Sequence, residues 1–109
     1  METLYKLKDQ KLQKLLEEIV QICAKIVPTP FRLILFGSFA RGDATQFSDI
    51  DIALQTKEDI DEKVVRKIQQ ELQKTRTLRK IDCVYLNRAS PALRETVKKE
   101  GVLLYESAK

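Results

Sequence analysis

Apolar residues fall along this chain in two periods. From Lys6 to Val27, the residues Leu12, Leu15, Leu16, Ile19, Ile22, Cys23 and Ile26 recur at spacings of three and four among Lys, Gln and Glu, which predicts an amphipathic helix. Pro28 and Pro30 end it, since neither supplies the amide that a continuing helix needs. The apolar run Phe31 to Phe36 then predicts a buried strand that delivers the chain to a tight turn at Gly37. Ser38 to Arg41 can form a short helical turn closed by Gly42, and the small polar residues Asp43 to Ser48 predict a surface loop. Strict alternation from Ser48 to Leu54 predicts a second strand, with Asp49, Asp51 and Ala53 on one face and Ile50, Ile52 and Leu54 on the other.

The second half repeats the alternation of helix and strand. Thr56 to Asp59 break the strand and offer caps for a helix over about Ile60 to Lys74, with the stripe Ile60, Val64, Val65, Ile68 and Leu72. A basic linker, Lys74 to Lys80, leads to a third strand, Ile81 to Leu86. Pro91 suits the first turn of a last helix, Pro91 to Glu100, which Gly101 stops before a short strand, Val102 to Tyr105. This order fits an α/β (α+β) fold, a small mixed sheet with helices packed on one face, as a single domain over residues 1–109. The open face would be the one carrying Asp49 and Asp51.

Composition removes several chemistries. A chain of 109 residues with 43% hydrophobic and 33% charged residues supports one two-layer core and has no run long enough to span a membrane. The charged start, Met1 to Lys6, lacks the pattern of a secretory signal, so a cytoplasmic location is expected. Histidine is absent, which excludes Ser-His and Cys-His nucleophile pairs and histidine metal sites. Cys23 and Cys83 have no paired spacing and read as buried, reduced thiols. The net charge of +4 is dispersed and does not select a ligand.

Any acid-base or metal chemistry therefore falls to carboxylates. Residues two apart on a strand point the same way, roughly 6.5 to 7 Å apart along the chain, so the carboxylates of Asp49 and Asp51 can converge. At a separation of about 4 Å and an effective dielectric of about 20 they would repel by roughly 4 kcal/mol, which calls for a cation or a proton. Mg²⁺ suits them best, as a hard ion that takes carboxylate oxygens and keeps positions for water and nucleotide phosphates; a two-ion site is expected. Asp82 interrupts an otherwise apolar strand and is the natural third ligand if that strand lies beside the second one in register. Gly37 permits close backbone approach, Ser38 and nearby amides can bind phosphate oxygens, and Arg41 can add charge.

Each signal alone has a plainer reading. An Asp-x-Asp strand is more often a solvated face, a Gly-Ser turn says little, and Asp82 could be hydrogen-bonded at a strand edge. The linker Lys74 to Lys80 reads as solvated, or as a guide for phosphates, RNA or an acidic partner. Tyr5, Tyr85 and Tyr105 read as packing residues rather than sites of self-modification. The conjunction of strand, Gly-Ser turn, short helix, Asp-x-Asp strand and third-strand aspartate is what carries weight.

That conjunction resembles a known superfamily. Gly37-Ser38, ten intervening residues, Asp49-Ile50-Asp51 and the later Asp82 resemble the signature of the DNA polymerase β-like nucleotidyltransferases, with their palm-like fold. Gly37-Ser38-Phe39-Ala40-Arg41-Gly42 followed by Ser48-Asp49-Ile50-Asp51 is similar, more narrowly, to the minimal nucleotidyltransferases, the MNT antitoxins of HEPN/MNT toxin–antitoxin pairs. The resemblance implies Mg²⁺-dependent transfer of AMP from ATP to a hydroxyl, most simply a tyrosine of a HEPN-type RNase toxin, with pyrophosphate released. It implies that Asp49 and Asp51 bind both metals, that Asp82 joins them at the acceptor-side ion, and that Gly37, Ser38 and, more weakly, Arg41 hold the triphosphate. No added domain is present to grip a base, an antibiotic or a primer, so a protein partner in a hetero-oligomer is expected and direct nucleic-acid binding is not. The alternatives are an antitoxin that acts by binding alone, and nucleotidyl transfer to a small molecule.

Overall fold

The computed structural model describes residues 10–45 and 47–107. Its helices are α1 (Gln10–Ile26), α2 (Ser38–Arg41), α3 (Glu62–Gln73) and α4 (Pro91–Glu100), and its strands are β1 (Phe31–Phe36), β2 (Ile50–Thr56), β3 (Ile81–Tyr85) and β4 (Val102–Glu106). The expected start of α1 at Lys6, together with Tyr5, lies outside the described residues. The strands form one mixed sheet in the order β3-β2-β1-β4, as the sequence predicts for the fold class. β1 runs antiparallel to β2 and β4, whereas β2 and β3 are parallel and are joined through α3, the crossover that parallel neighbours require.

The main core lies between the sheet and the two long helices. Leu16, Ile19 and Cys23 of α1 and Ile68 and Leu72 of α3 pack on Leu33 and Leu35 of β1, Ile50, Ile52 and Leu54 of β2, and Leu104 of β4, all fully buried or nearly so. At roughly 1.5 to 3 kcal/mol per fully buried aliphatic side chain, this layer supplies most of the drive to fold. Burial pushes both thiols up, that of Cys83 to about 12, which keeps them protonated and inert as expected. Tyr85 is buried with its hydroxyl 2.7 Å from that of Thr56, and Tyr105 stacks near Phe31 at 5.3 Å, so both serve packing.

β2 runs on to Thr56 and β4 to Glu106, past their expected ends at Leu54 and Tyr105, and three further boundaries differ from the sequence reading for a local reason. β2 begins at Ile50 rather than Ser48, because the Ser48 hydroxyl accepts from the Thr45 amide in a turn and ladder pairing starts where the Ile50 amide donates to Lys80. α3 begins after Asp61, whose side chain caps the Lys63 amide, and so Ile60 is core but not helix. Leu86 leaves β3 for a 3-10 turn, Leu86–Arg88.

The second face of the sheet is narrower than expected. α4 lies against it, with Val97 in a small cluster of Phe36, Ala53 and Leu86. Ala53 is therefore buried rather than open, and only the end of this face near the carboxylates remains accessible. Among the described residues no helix is long and apolar enough to cross a membrane.

Candidate active site

The exposed end of that face is built by register. Asp51 and Asp82 are direct partners in the parallel β2–β3 pair, so their side chains leave neighbouring strands side by side. Phe36, the last residue of β1, pairs with Asp51 across the other edge of β2, and this places Gly37 against the Asp51 carboxylate. Gly37 has φ +77° and ψ −154°, a backbone region that is essentially glycine-only. A Cβ there would overlap Oδ2 of Asp51 and lie 3.1 Å from its Cγ. Two independent constraints thus require glycine at position 37.

After Gly37 the chain turns through α2. The Arg41 and Gly42 amides donate to the carbonyls of Gly37 and Ser38 at 3.0 Å each, and Gly42, with φ +87°, closes the turn in the left-handed region. Ser38 is half-buried at the start of this turn, and Arg41 is exposed.

Asp51, like Asp82, is half-buried. Burial first, and then the negative charges of Asp82 and Asp49, push its carboxyl above the ordinary aspartate range, with Arg41 opposing and Glu100 adding to the rise. Asp49 precedes β2 and is exposed, so the structure puts it beside the strand rather than on it. Asp82 has Lys80 Nζ at 3.7 Å from Oδ1. Among the described residues, no group of three His, Cys, Asp or Glu side chains forms a ready metal cage. Yet the pair Asp51 and Asp82 suits a hard divalent ion: the donors are all oxygen, and their mutual repulsion is what a cation would relieve. Two carboxylates, with water and substrate phosphates, are also the usual complement of Mg²⁺.

Two residues at this site escape sequence reasoning. Glu100, the last residue of α4, accepts from the Gly37 amide at 2.9 Å and from Arg41 Nη1 at 3.2 Å, while Arg41 Nε donates to Asp43 at 3.3 Å. A carboxylate therefore already sits on two of the groups expected to hold phosphate. A signal did exist, because an acidic residue at a helix C-terminus opposes the helix dipole and needs some other partner. Arg79 is the second: its guanidinium donates to the carbonyls of Thr45 and Ser48 at 3.0 and 3.2 Å and lies 4.9 Å from the centre of the Phe39 ring. It ties the loop before Asp49 to α2, and nothing in the basic linker marks it out from its neighbours.

Comparison with known proteins fits this geometry. The family model described as polymerase beta, nucleotidyltransferase matches residues 10–109. A chain from the crystal structure of a toxin–antitoxin with AMP-PNP is 27% identical with a TM-score of 0.73, over 85% of this chain and 74% of that one. A chain from the complex of a tri-AMPylated Shewanella oneidensis HEPN toxin with an MNT antitoxin is 25% identical with a TM-score of 0.69, over 87% and 72%. A structure assigned to a minimal nucleotidyltransferase is 27% identical with a TM-score of 0.66, over 85% and 92%. No curated protein matches.

Proposed function

Because the chain belongs to the polymerase β nucleotidyltransferase family, we propose that it is an MNT-type antitoxin that moves AMP from ATP to a tyrosine hydroxyl of a HEPN-type toxin. The observation that carries this reading is the register pairing of Asp51 with Asp82 beside a glycine that only an unsubstituted backbone could occupy. Structural neighbours that hold AMP-PNP or an AMPylated HEPN toxin support the choice of nucleotide and acceptor.

In this reading Asp49 and Asp51 would hold two Mg²⁺ ions, and Asp82 would join them on the acceptor side. The ions supply charge neutralisation for the triphosphate and a lower pKa for the acceptor hydroxyl. Gly37 and Ser38 orient the triphosphate so that its α-phosphorus faces the acceptor side, and Arg41 draws on the outer phosphates. Asp82 lies at the acceptor side to take the hydroxyl proton as the new phosphate ester forms and pyrophosphate leaves. Intact mass spectrometry tests the whole: the toxin incubated with this chain and Mg·ATP gains the mass of AMP, located on tyrosine. A toxin whose mass stays unchanged while its RNase activity is neutralised would replace this reading with antitoxin action by binding alone.

The Glu100 contact is the observation that favours that second reading, since it occupies the Gly37 amide and Arg41. If the site is active, Glu100 is a stand-in anion that the triphosphate displaces. Glu100→Gln should then lower the KM for ATP roughly threefold to tenfold with little change in kcat, as expected for weakening a charge-assisted hydrogen bond. Steady-state kinetics decides the point; a raised KM would make Glu100 a support for the turn instead.

A further inference from the structure

Phe47 and Leu78 are the large apolar side chains that stand in solvent among the described residues, 85% and 106% exposed. They come from different segments, the loop before Asp49 and the basic linker before β3, yet both line one cavity of about 950 Å³. Asp49 lines the same cavity, which brings one of the three candidate carboxylates to its wall. Lys11 of α1, Arg76 and Lys80 bring positive charge to its wall, and Lys80 also reaches Asp82 at 3.7 Å. The Gly37 turn and Glu100 are not among the lining residues, although Arg79, which is, lies 4.9 Å from the centre of the Phe39 ring in α2.

We propose that this cavity is the docking site for the acceptor: an acidic segment of a protein partner that carries an apolar side chain beside the hydroxyl to be modified. The assignment of Asp49 to the reacting centre comes from the nucleotidyl-transfer reading above. Phe47 and Leu78 supply the apolar anchor, and Arg76 meets an acidic flanking residue. A nucleic acid fits less well. Of the two exposed apolar side chains only Phe47 offers a face for a base to stack on, and Asp49 adds a negative charge to the wall. The solvent-exposed linker thereby gains a role that its composition alone left open.

Fluorescence anisotropy tests the proposal with short labelled peptides that carry Tyr-Leu between acidic residues, or between lysines, and with a short oligouridylate. The acidic peptide should bind, and should weaken as salt screens the cations. Phe47→Ser and Leu78→Ser should each cost about tenfold in peptide affinity, as anchor truncations do, and Arg76→Glu at least as much. AMP-PNP affinity, measured in parallel, should stay the same in all three variants. Equal binding of the lysine peptide, tighter binding of the oligouridylate, or unchanged peptide affinity in the variants would overturn the proposal. AMP transfer to the toxin by a Phe47→Ser/Leu78→Ser variant at wild-type KM would overturn it while leaving the transfer reading intact. Wild-type binding of the acidic peptide that depends on these residues, with no AMP transfer to any tyrosine, would uphold the docking site and sink the transfer reading.

Discussion

Asp51→Asn is expected to abolish nucleotidyl transfer and, at neutral pH, to raise the melting temperature. The loss should be about a thousandfold or more, because in the proposed reading the residue would hold the metal ions that stabilise charge in the transition state. The gain in stability follows from the raised Asp51 carboxyl. The folded chain binds that proton more tightly than the unfolded chain does, through burial and the charges of Asp82 and Asp49, so the ionised form costs stability. That cost is absent in acid below the ordinary aspartate range and appears as pH rises through the folded pKa. Asparagine never incurs it. The difference in melting temperature between variant and wild type should therefore be largest near neutrality and vanish in acid. Added Mg²⁺ should raise the wild-type melting temperature and affect the variant much less. Thermal scans across pH, with and without Mg²⁺, check both signs; a variant less stable than wild type at neutral pH would refute the electrostatic account of Asp51.

Gly37→Ala should be a strongly damaging small substitution. The residue combines a glycine-only backbone region with a Cβ direction aimed into the Asp51 carboxylate. Backbone strain and overpacking together predict a loss of roughly 2 to 5 kcal/mol, with Asp51 displaced and transfer lost as well. Gly42→Ala is the matched control. Its φ is also positive, at +87°, but a Cβ there meets nothing within 4 Å, so only the left-handed cost of about 1 to 2 kcal/mol applies. Urea titration of both variants separates the two contributions. In an Asp51→Ala background, where Oδ2 and Cγ are gone and only the Cβ at 3.3 Å remains, the cost of Gly37→Ala should fall toward that of Gly42→Ala. Equal costs in the two backgrounds would show that the backbone alone demands glycine at position 37.

The periodic parts of the chain announced themselves. The stripe of α1, the run of β1 and the Pro91 start of α4 are set by local pattern, and the structure places them where that pattern does. The alignment of Asp82 with Asp51 was legible only as a condition, because strand pairing depends on register across the α3 crossover and not on either strand by itself. Packing of α4 on the second face was hidden for a related reason. Ala53 alternates with Ile52 and Leu54 as an outward residue should, and its small side chain does not reveal that Val97 covers it. Side chains that reach across loops, Glu100 to Gly37 and Arg79 to Ser48, have sequence separations that no periodicity encodes.

The sheet order has one more implication. Asp51 and the lead-in to Gly37 ride on β2 and β1, the two interior strands, where a slip of one residue would turn buried leucines and isoleucines outward. Asp82 and its basic approach ride on β3, an edge strand whose lead-in is bound mainly through side chains. A register change in β1 or β2 would therefore disturb Gly37 and Asp51 together with the core, whereas changes in the lead-in to β3 leave that part of the sheet in place.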